Sequence, residues 1–300
     1  MMRTIVYTIS PSDHGQTVEQ YLRRRGISHA LLVQLKRFPD GLLLNGAPVR
    51  TIDRLAANTR LEITLRETDT STHIAPVDLP LFIVYEDEDL FVVDKPAGMP
   101  VHPSQGNREN ALANALAALY KNRGDPFVFR AIGRLDKNTS GLVLLAKNAF
   151  SGCLLSQMLQ KRIVRREYLA ICQGLLPPDG TIDAPIARSR GSTLLREVRK
   201  DGDRAVTHFQ RLSFCNGLSL ARVWLDTGRT HQIRVHMAHI GHPLPGDFLY
   251  CPDFSQINRH ALHAASLRFP QPITGKPLCF TSPLPEDMVP LIRDEQTRRA

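Results

Sequence analysis

Residues 127–148 read FVFRAIGRLDKNTSGLVLLAKN. Two apolar, β-branched runs, 127–132 and 142–146, flank a short polar loop holding Arg134, Asp136, Lys137, Thr139 and Ser140. The runs predict two buried strands bounded by Gly133 and Gly141. A carboxylate at the mouth of two buried strands is an expensive use of charge. Desolvating it costs several kcal/mol unless it is paired, so its partner has to come from elsewhere in the chain. A plainer reading stays open at this point, in which Asp136, Asn138 and Thr139 only satisfy the backbone of a polar hairpin loop.

Composition narrows the classes. The chain has 300 residues, enough for one large or two ordinary domains, and 42% apolar residues, enough for a sizeable core. No apolar run reaches the length of a membrane span, and the first ten residues lack a secretory apolar segment. Five dispersed cysteines without a Cys-x-x-Cys predict reduced thiols in a cytoplasmic protein, with neither a disulfide framework nor a thiolate metal site. The net charge of +9 points to a polyanionic partner. With only 6% aromatic residues, a base-stacking platform spread over several rings is not expected.

Working outward, residues 1–70 predict a separate small module. Residues 18–25 and 29–38 read as helices, the second capped by Ser28 and carrying an apolar stripe of Leu31, Leu32, Leu35 and Phe38. Residues 42–44 read as a strand entering a tight Asn45-Gly46 turn. Leu61, Ile63 and Leu65 then alternate with polar residues, as in a half-buried strand. Residues 71–80, mixing Asp, Ser, Thr and Pro, read as a linker, and residues 81–300 as the second domain. That domain opens with strands at 82–85 and 90–93. The proline-stiffened loop DKPAGMPVHP (94–103), a helix at 111–120 and an Asn148-capped helix through Met158 follow. The basic run KRIVRR (161–166) precedes a strand holding Tyr168, and residues 187–204 carry six basic against three acidic residues, as an exposed hairpin would. Further strands are expected at 207–212 and 218–225, and Thr230 is expected to cap a helix that Gly241 stops.

Two more segments carry chemistry. Arg165, Arg166 and Tyr168 could hold phosphates while a ring stacks on a base, though from the residues alone Tyr168 reads more readily as an ordinary strand aromatic. LDTGRTHQIRVHMAHIGHPLPGD (225–247) places Arg234 in the first turns of a helix. Its histidines, with His260 and His263, lack the His-Glu-x-x-His spacing and any thiolate pair, so no metal is expected. No phosphate-binding loop, dinucleotide fingerprint or nucleophile elbow occurs, and the central loop offers one carboxylate where a glycosidase needs two.

Together, RLDKNTSG followed by LVLLAK (134–147), DKPAG (94–98), RREYLA (165–170) and TGRTHQIR (227–234) resemble the motifs of the RluA-type RNA pseudouridine synthases. HALHA (260–264) resembles that family's closing strands. Gly133 departs from the histidine usual in this branch and is similar to the sister RsuA branch, which bears on substrate fit. Residues 1–70 resemble the alpha-L RNA-binding module first seen in a ribosomal protein, although Asn58-Thr59 replaces the usual Gly-Asp. A small solvated α/β cap is the other reading.

The resemblance implies an α+β fold: a mixed, mainly antiparallel sheet with a central cleft, plus the small amino-terminal α/β RNA-binding module. It implies isomerisation of uridine to pseudouridine in structured RNA, ribosomal RNA foremost and tRNA as the alternative, with no cofactor. Asp136 is then the nucleophile, Arg234 pairs with it and keeps it charged, and Tyr168 stacks on the base and helps remove the C5 proton. A bidentate grip of Arg234 on Asp136 is the expected form of that pairing. Arg134 would enter the space vacated by the flipped base. Lys161, Arg162, Arg165, Arg166, Arg229, His231 and Gln232 would bind RNA. A monomer without membrane or obligatory protein partner is expected. The rivals are a non-catalytic RNA-binding factor of the same fold and a hydrolase of free nucleosides.

Overall fold

The computed structural model describes residues 2–293. Its first unit comprises Met2–Thr8 (β1), Val18–Arg24 (α1), His29–Leu35 (α2), Leu42–Leu44 (β2), Ala47–Pro48 (β3) and Arg60–Arg66 (β4), with the sheet ordered β1-β4-β2-β3. Both helices start on hydroxyl caps: Thr17 accepts from the Gln20 N–H and Ser28 from the Leu31 N–H. Asn45 and Gly46 both adopt positive φ, 51° and 82°, which gives the β2–β3 hairpin its two-residue turn. Tyr21, Leu22, Leu31, Leu32 and Leu35 bury the inner helix faces against Leu61 and Ile63.

The second unit runs through Phe82–Glu86 (β5), Leu90–Lys95 (β6), Leu112–Arg123 (α3), Ser140–Ala146 (β7), Ala149–Gln160 (α4), Arg165–Gln173 (β8) and Asp179–Asp183 (β9). It continues with Ile186–Arg188 (β10), Arg196–Val198 (β11), Val206–Cys215 (β12), Leu218–Leu225 (β13), Gln232–His239 (α5), Leu262–Pro270 (β14) and Pro277–Thr281 (β15). Nine strands form one sheet in the order β5-β6-β7-β14-β8-β13-β12-β9, with β15 on β14. Every pairing in it is antiparallel except β14 with β7. The class is α+β, as the motifs imply.

β6 and β7 are apolar on both faces because both are covered. Phe91, Val93, Val143 and Leu145 pack under α3, while Leu90, Val92, Leu142 and Leu144 pack under Leu155 of α4. β14 sits between β7 and β8, so the loop before β7 and the start of β8 flank the same strand. Gly141 makes that junction close: a Cβ there would lie 2.3 Å from the Ala264 carbonyl oxygen, and its φ is 109°.

Two expectations need correction, and one strand was not expected. Residues 127–132 do not form a strand. β14 pairs with β7 only at Ser140 and Gly141. Beyond that, the segment fills the exposed edge of β7 through one bridge, Ala131 with Leu145, and two hydrogen bonds, too few for a ladder. The third helix of the second unit, α5, begins one residue later than read, after His231, whose left-handed φ of 59° makes the turn that Thr230 was expected to cap. β1 was unread because it is an edge strand in which Ile5 alone is fully buried, leaving little apolar alternation.

The two units dock. Phe150, in the first turn of α4, is buried in the core of the first unit, a burial that stabilises by roughly 1.5–3 kcal/mol. Beside it, the buried Asp89 accepts from Arg3 Nε and Nη2, Asn148, Ser151 and Gln271, which ties β1 to the β5–β6 turn and α4.

Candidate active site

The loop carrying Asp136 is held at successive positions from outside. Lys95 Nζ donates to the Lys137 carbonyl at 3.1 Å, and Arg259 donates to the Asn138 carbonyl at 3.2 Å. Thr139 Oγ1 meets His260 Nε2 at 2.8 Å, and Ser140 Oγ meets His263 Nδ1 at 2.9 Å. Lys95 also donates to the carbonyls of Pro96 and Met99, so its ammonium pins the proline-rich loop to the aspartate loop. Burial pushes the Lys95 pKa down to about 7, the nearby Arg259 charge adding to that. Burial likewise pushes His260 down to about 4, so it is neutral at ordinary pH.

Asp136 meets Arg234 from α5: Nη1 donates to Asp136 Oδ2 at 3.0 Å. The guanidinium does not grip Asp136 with two donors, as expected. Its fork goes to Asp247, through Nε at 2.6 Å and Nη2 at 2.7 Å. Arg234 and Asp247 are both fully buried, whereas the Asp136 side chain keeps 27% of its surface exposed. Burial works against the charge of Arg234, but Asp247 and Asp136 outweigh it and its pKa is raised. Burial alone would raise Asp247; the two donors of Arg234 outweigh it and the carboxyl lies below its usual value. Asp247 also accepts from the Leu249 and Tyr250 backbone N–H groups, so the turn after it fixes the whole pair. Oδ1 of Asp136 has no protein partner among the described residues.

Asp136, Arg234 and Tyr168 line one cleft of about 1040 Å³. Tyr168 lies on β8 between Val223 and Ala264 of the flanking strands, and its side chain is largely buried. Arg134, Arg162, Arg165, Arg166, Arg229 and His231 are on the same walls. Arg134 reaches Thr230 Oγ1 at 3.5 Å across the mouth. Arg162 pairs with Asp226 at 3.3 Å and Arg229 with Asp203 at 3.5 Å, both exposed and salt-sensitive. Lys161 is exposed at the end of α4 and is not part of the cleft wall.

Gln232 is the residue whose place differs most from its expected role. Its amide oxygen accepts from Thr227 Oγ1 and the Arg229 N–H, and its nitrogen donates to the Val206 carbonyl and Thr207 Oγ1. Those four bonds fill the amide's capacity and leave nothing for RNA. Its work is to fold the loop that launches α5. His231 is half-buried with Nδ1 at 3.2 Å from the Tyr250 hydroxyl, and burial lowers its pKa. Asp247, Lys95, Arg259 and His260 had no assigned role in the sequence. The signal for Asp247 was its own oddness: a lone carboxylate in the apolar turn PLPGDFLY.

An anchored carboxylate with one bare oxygen, facing a cationic cleft beside an aromatic ring, can attack an electron-poor centre on a polyanionic substrate. Comparison with known proteins places the chain in a family. Residues 89–239 match the model of the RNA pseudouridylate synthase family. The chain is 37% identical over 280 residues to the RNA pseudouridine synthase YjbO of Bacillus subtilis (strain 168), covering 93% of this chain and 99% of that one. It is 39% identical over 277 residues to ribosomal large subunit pseudouridine synthase D of Xanthomonas campestris, covering 86% and 83%. Among solved structures, human RNA pseudouridylate synthase domain containing 1 superposes with a TM-score of 0.57 at 25% identity, over 68% of this chain and 83% of that one. The chain belongs to the RNA pseudouridylate synthase family. It is an isomerase that converts uridine to pseudouridine in RNA.

Proposed function

We propose that the chain isomerises specific uridines of ribosomal RNA, with Asp136 as nucleophile, Arg234 as its anchor and Tyr168 as the ring that packs on the reacting uracil. The observation that carries this is the asymmetry at Asp136: Oδ2 is held by Arg234, while Oδ1 has no protein partner among the described residues on a side chain that lines the cleft and is 27% exposed. The names of the relatives that act on the large ribosomal subunit support the substrate class.

In the reaction the N1–C1′ bond breaks, the uracil turns, and a C5–C1′ bond forms. The C5 proton leaves and N1 gains one, so mass and redox state are unchanged. Asp136 attacks the uridine, at the sugar or at the ring, and holds the detached fragment through the rotation. Tyr168 keeps the uracil in plane and takes part in removing the C5 proton. The target must first leave its stack, at about a few kcal/mol. Arg134 takes the vacated space while Arg162, Arg165, Arg166 and Arg229 hold flanking phosphates. The first unit, with its α1–α2 surface, is a second RNA contact. The enzyme works as a cytoplasmic monomer; no helix among the described residues is long and apolar enough to cross a membrane.

Carbodiimide mapping of pseudouridines in ribosomal RNA from cells with and without this protein tests the reading. Sites that vanish with the protein, and return when purified enzyme is added to that RNA, are expected. An unchanged ribosomal map would overturn the ribosomal assignment.

A further inference from the structure

The chain's single tryptophan stands in the wall of the same cleft. Trp224 is near the end of β13, one residue on from Val223, whose backbone pairs with Tyr168 near the start of β8. The two aromatics therefore lie at the same end of the sheet, and the pleat turns their side chains to opposite faces. As both line the cleft, it bends over this end of the sheet, with Tyr168 on one arm and Trp224 on the other.

Trp224 is built as a platform. Its cross-strand neighbour His208 stacks against one face of the indole, with centroids 5.5 Å apart and planes 17° apart. His208 is itself fixed at both nitrogens, Nδ1 at 2.9 Å from Thr181 Oγ1 and Nε2 at 3.4 Å from Asp226. The indole is thus backed by a rigid plane, while 38% of the residue remains exposed. A large apolar ring left bare in a polar cleft, already oriented, loses little freedom when a flat ligand covers it. On the neighbouring strand, just before Glu167, the cross-strand partner of Trp224, Arg165 and Arg166 have no carboxylate partner among the described residues, and both line the cleft. A bare ring next to unpaired cations fits a stacked base whose phosphates lie alongside.

We infer that Trp224, backed by His208, is a stacking subsite for an unpaired nucleobase of the RNA strand next to the target uridine. This deepens the proposed function and rests on its RNA cleft. It adds a contact outside the reacting centre that reads an exposed base by its π-face, tolerant of base identity. A second ring, Phe248, is exposed near Arg234 but lies outside the cleft wall and is not part of the subsite.

Because there is one tryptophan, its emission reports on the site directly. The full-length protein is titrated at low salt with a short oligoadenylate and with an abasic ribose-phosphate strand of equal length, binding of the latter being followed by competition. Oligoadenylate is expected to quench the emission, and the abasic strand to bind without quenching. Trp224→Leu, which has no tryptophan emission and is followed like Trp224→Phe by the anisotropy of an end-labelled strand, is expected to weaken oligoadenylate binding on the order of tenfold, leave abasic binding unchanged, and raise KM for ribosomal RNA. Trp224→Phe should recover most of that loss, which a purely structural role for the exposed ring would not produce. Equal quenching by both strands, or unaltered oligoadenylate affinity in Trp224→Leu, overturns the subsite. The titration needs no turnover, so it decides on the platform even if the wild-type enzyme forms no pseudouridine in ribosomal RNA, a result that would count against the functional reading alone.

Discussion

Arg234 gives both arms of its fork to Asp247 and one N–H to Asp136. The distribution matters chemically. Had the fork closed on Asp136, both oxygens of the proposed nucleophile would be occupied by donors and stabilised against attack. As built, Asp247 neutralises and orients the guanidinium inside the protein, and Arg234 gives one further N–H, from Nη1, to Asp136 Oδ2 alone. Oδ1, the oxygen proposed to react, is left without a protein donor among the described residues while the carboxylate is aimed.

Asp247→Ala should therefore be as damaging as loss of a catalytic group. It strands a fully buried guanidinium, and breaking a buried pair costs about 3–5 kcal/mol. Denaturant unfolding should show that loss, and Asp247→Asn, which keeps the shape and some hydrogen bonds, should unfold less readily than Asp247→Ala. In the Asn variant turnover should drop roughly 10- to 100-fold, as when an orienting partner is removed. Wild-type rates in a stably folded Asp247→Asn would remove Asp247 from the machinery.

Asp136→Asn should abolish pseudouridine formation and leave RNA affinity within about threefold, because the phosphate contacts proposed for the cleft's arginines remain. Filter binding across a salt series should give the same slope for both proteins. If affinity and turnover fall together, Asp136 is a scaffold residue.

Gly133 has a φ of 87°, and a Cβ on it would lie 2.8 Å from Arg166 Nη1. The glycine thus makes room for an arginine in the cleft wall where the similar RluA branch carries histidine. Gly133→Ala should cost roughly 1–2 kcal/mol in backbone strain and displace Arg166, weakening RNA binding. Adding Arg166→Ala should relieve the clash but not the strain, and a double-mutant cycle separates the two. Strict additivity in stability and affinity would show that the residues do not meet.

His260 sets a pH dependence. Its Nε2 meets Thr139 and its buried Nδ1 has no partner among the described residues, so the folded protein resists protonating it. Its pKa falls from the ordinary 6.5 to about 4, with burial the largest cause. Above pH 6.5 neither folded nor unfolded chain carries this proton. As pH drops from there toward 4, the unfolded chain binds a proton that the folded one refuses, so stability falls, by roughly 3 kcal/mol in all. Unfolding free energies measured from pH 7 to 4 should show this slope flattened in His260→Gln. An unchanged slope would place the acid sensitivity elsewhere.

What could be read from the sequence follows from how local each signal is. Ser28 and Asn148 cap helices because a cap is a contact three residues long. The polar loop at Asp136 stood out against the apolar run after it, and its pairing with Arg234 came from resemblance, since 98 residues separate them. The direction of the arginine fork was not readable, because it depends on a turn at Gly246–Asp247 brought under α5 by tertiary packing. Gln232 looked like a polar residue free for RNA, as sequence does not show a side chain saturated by four internal bonds. Trp224 was hidden for the opposite reason: one ring in a strand reads as ordinary alternation until its cross-strand neighbour is known. The strand expected at 127–132 had the right composition, but it meets the edge of β7 through one bridge and two hydrogen bonds, too few for a ladder.

Lys95, Arg259, His260 and His263 each pin one of the four residues that follow Asp136. A loop fastened at every step has no slack with which to reach for a substrate. Adaptation has to come from the nucleic acid, which must yield until its uridine arrives at a stationary oxygen. Choice among uridines then becomes a question of mechanical compliance, and a hairpin stiffened by extra closing pairs should be passed over even when its letters are right.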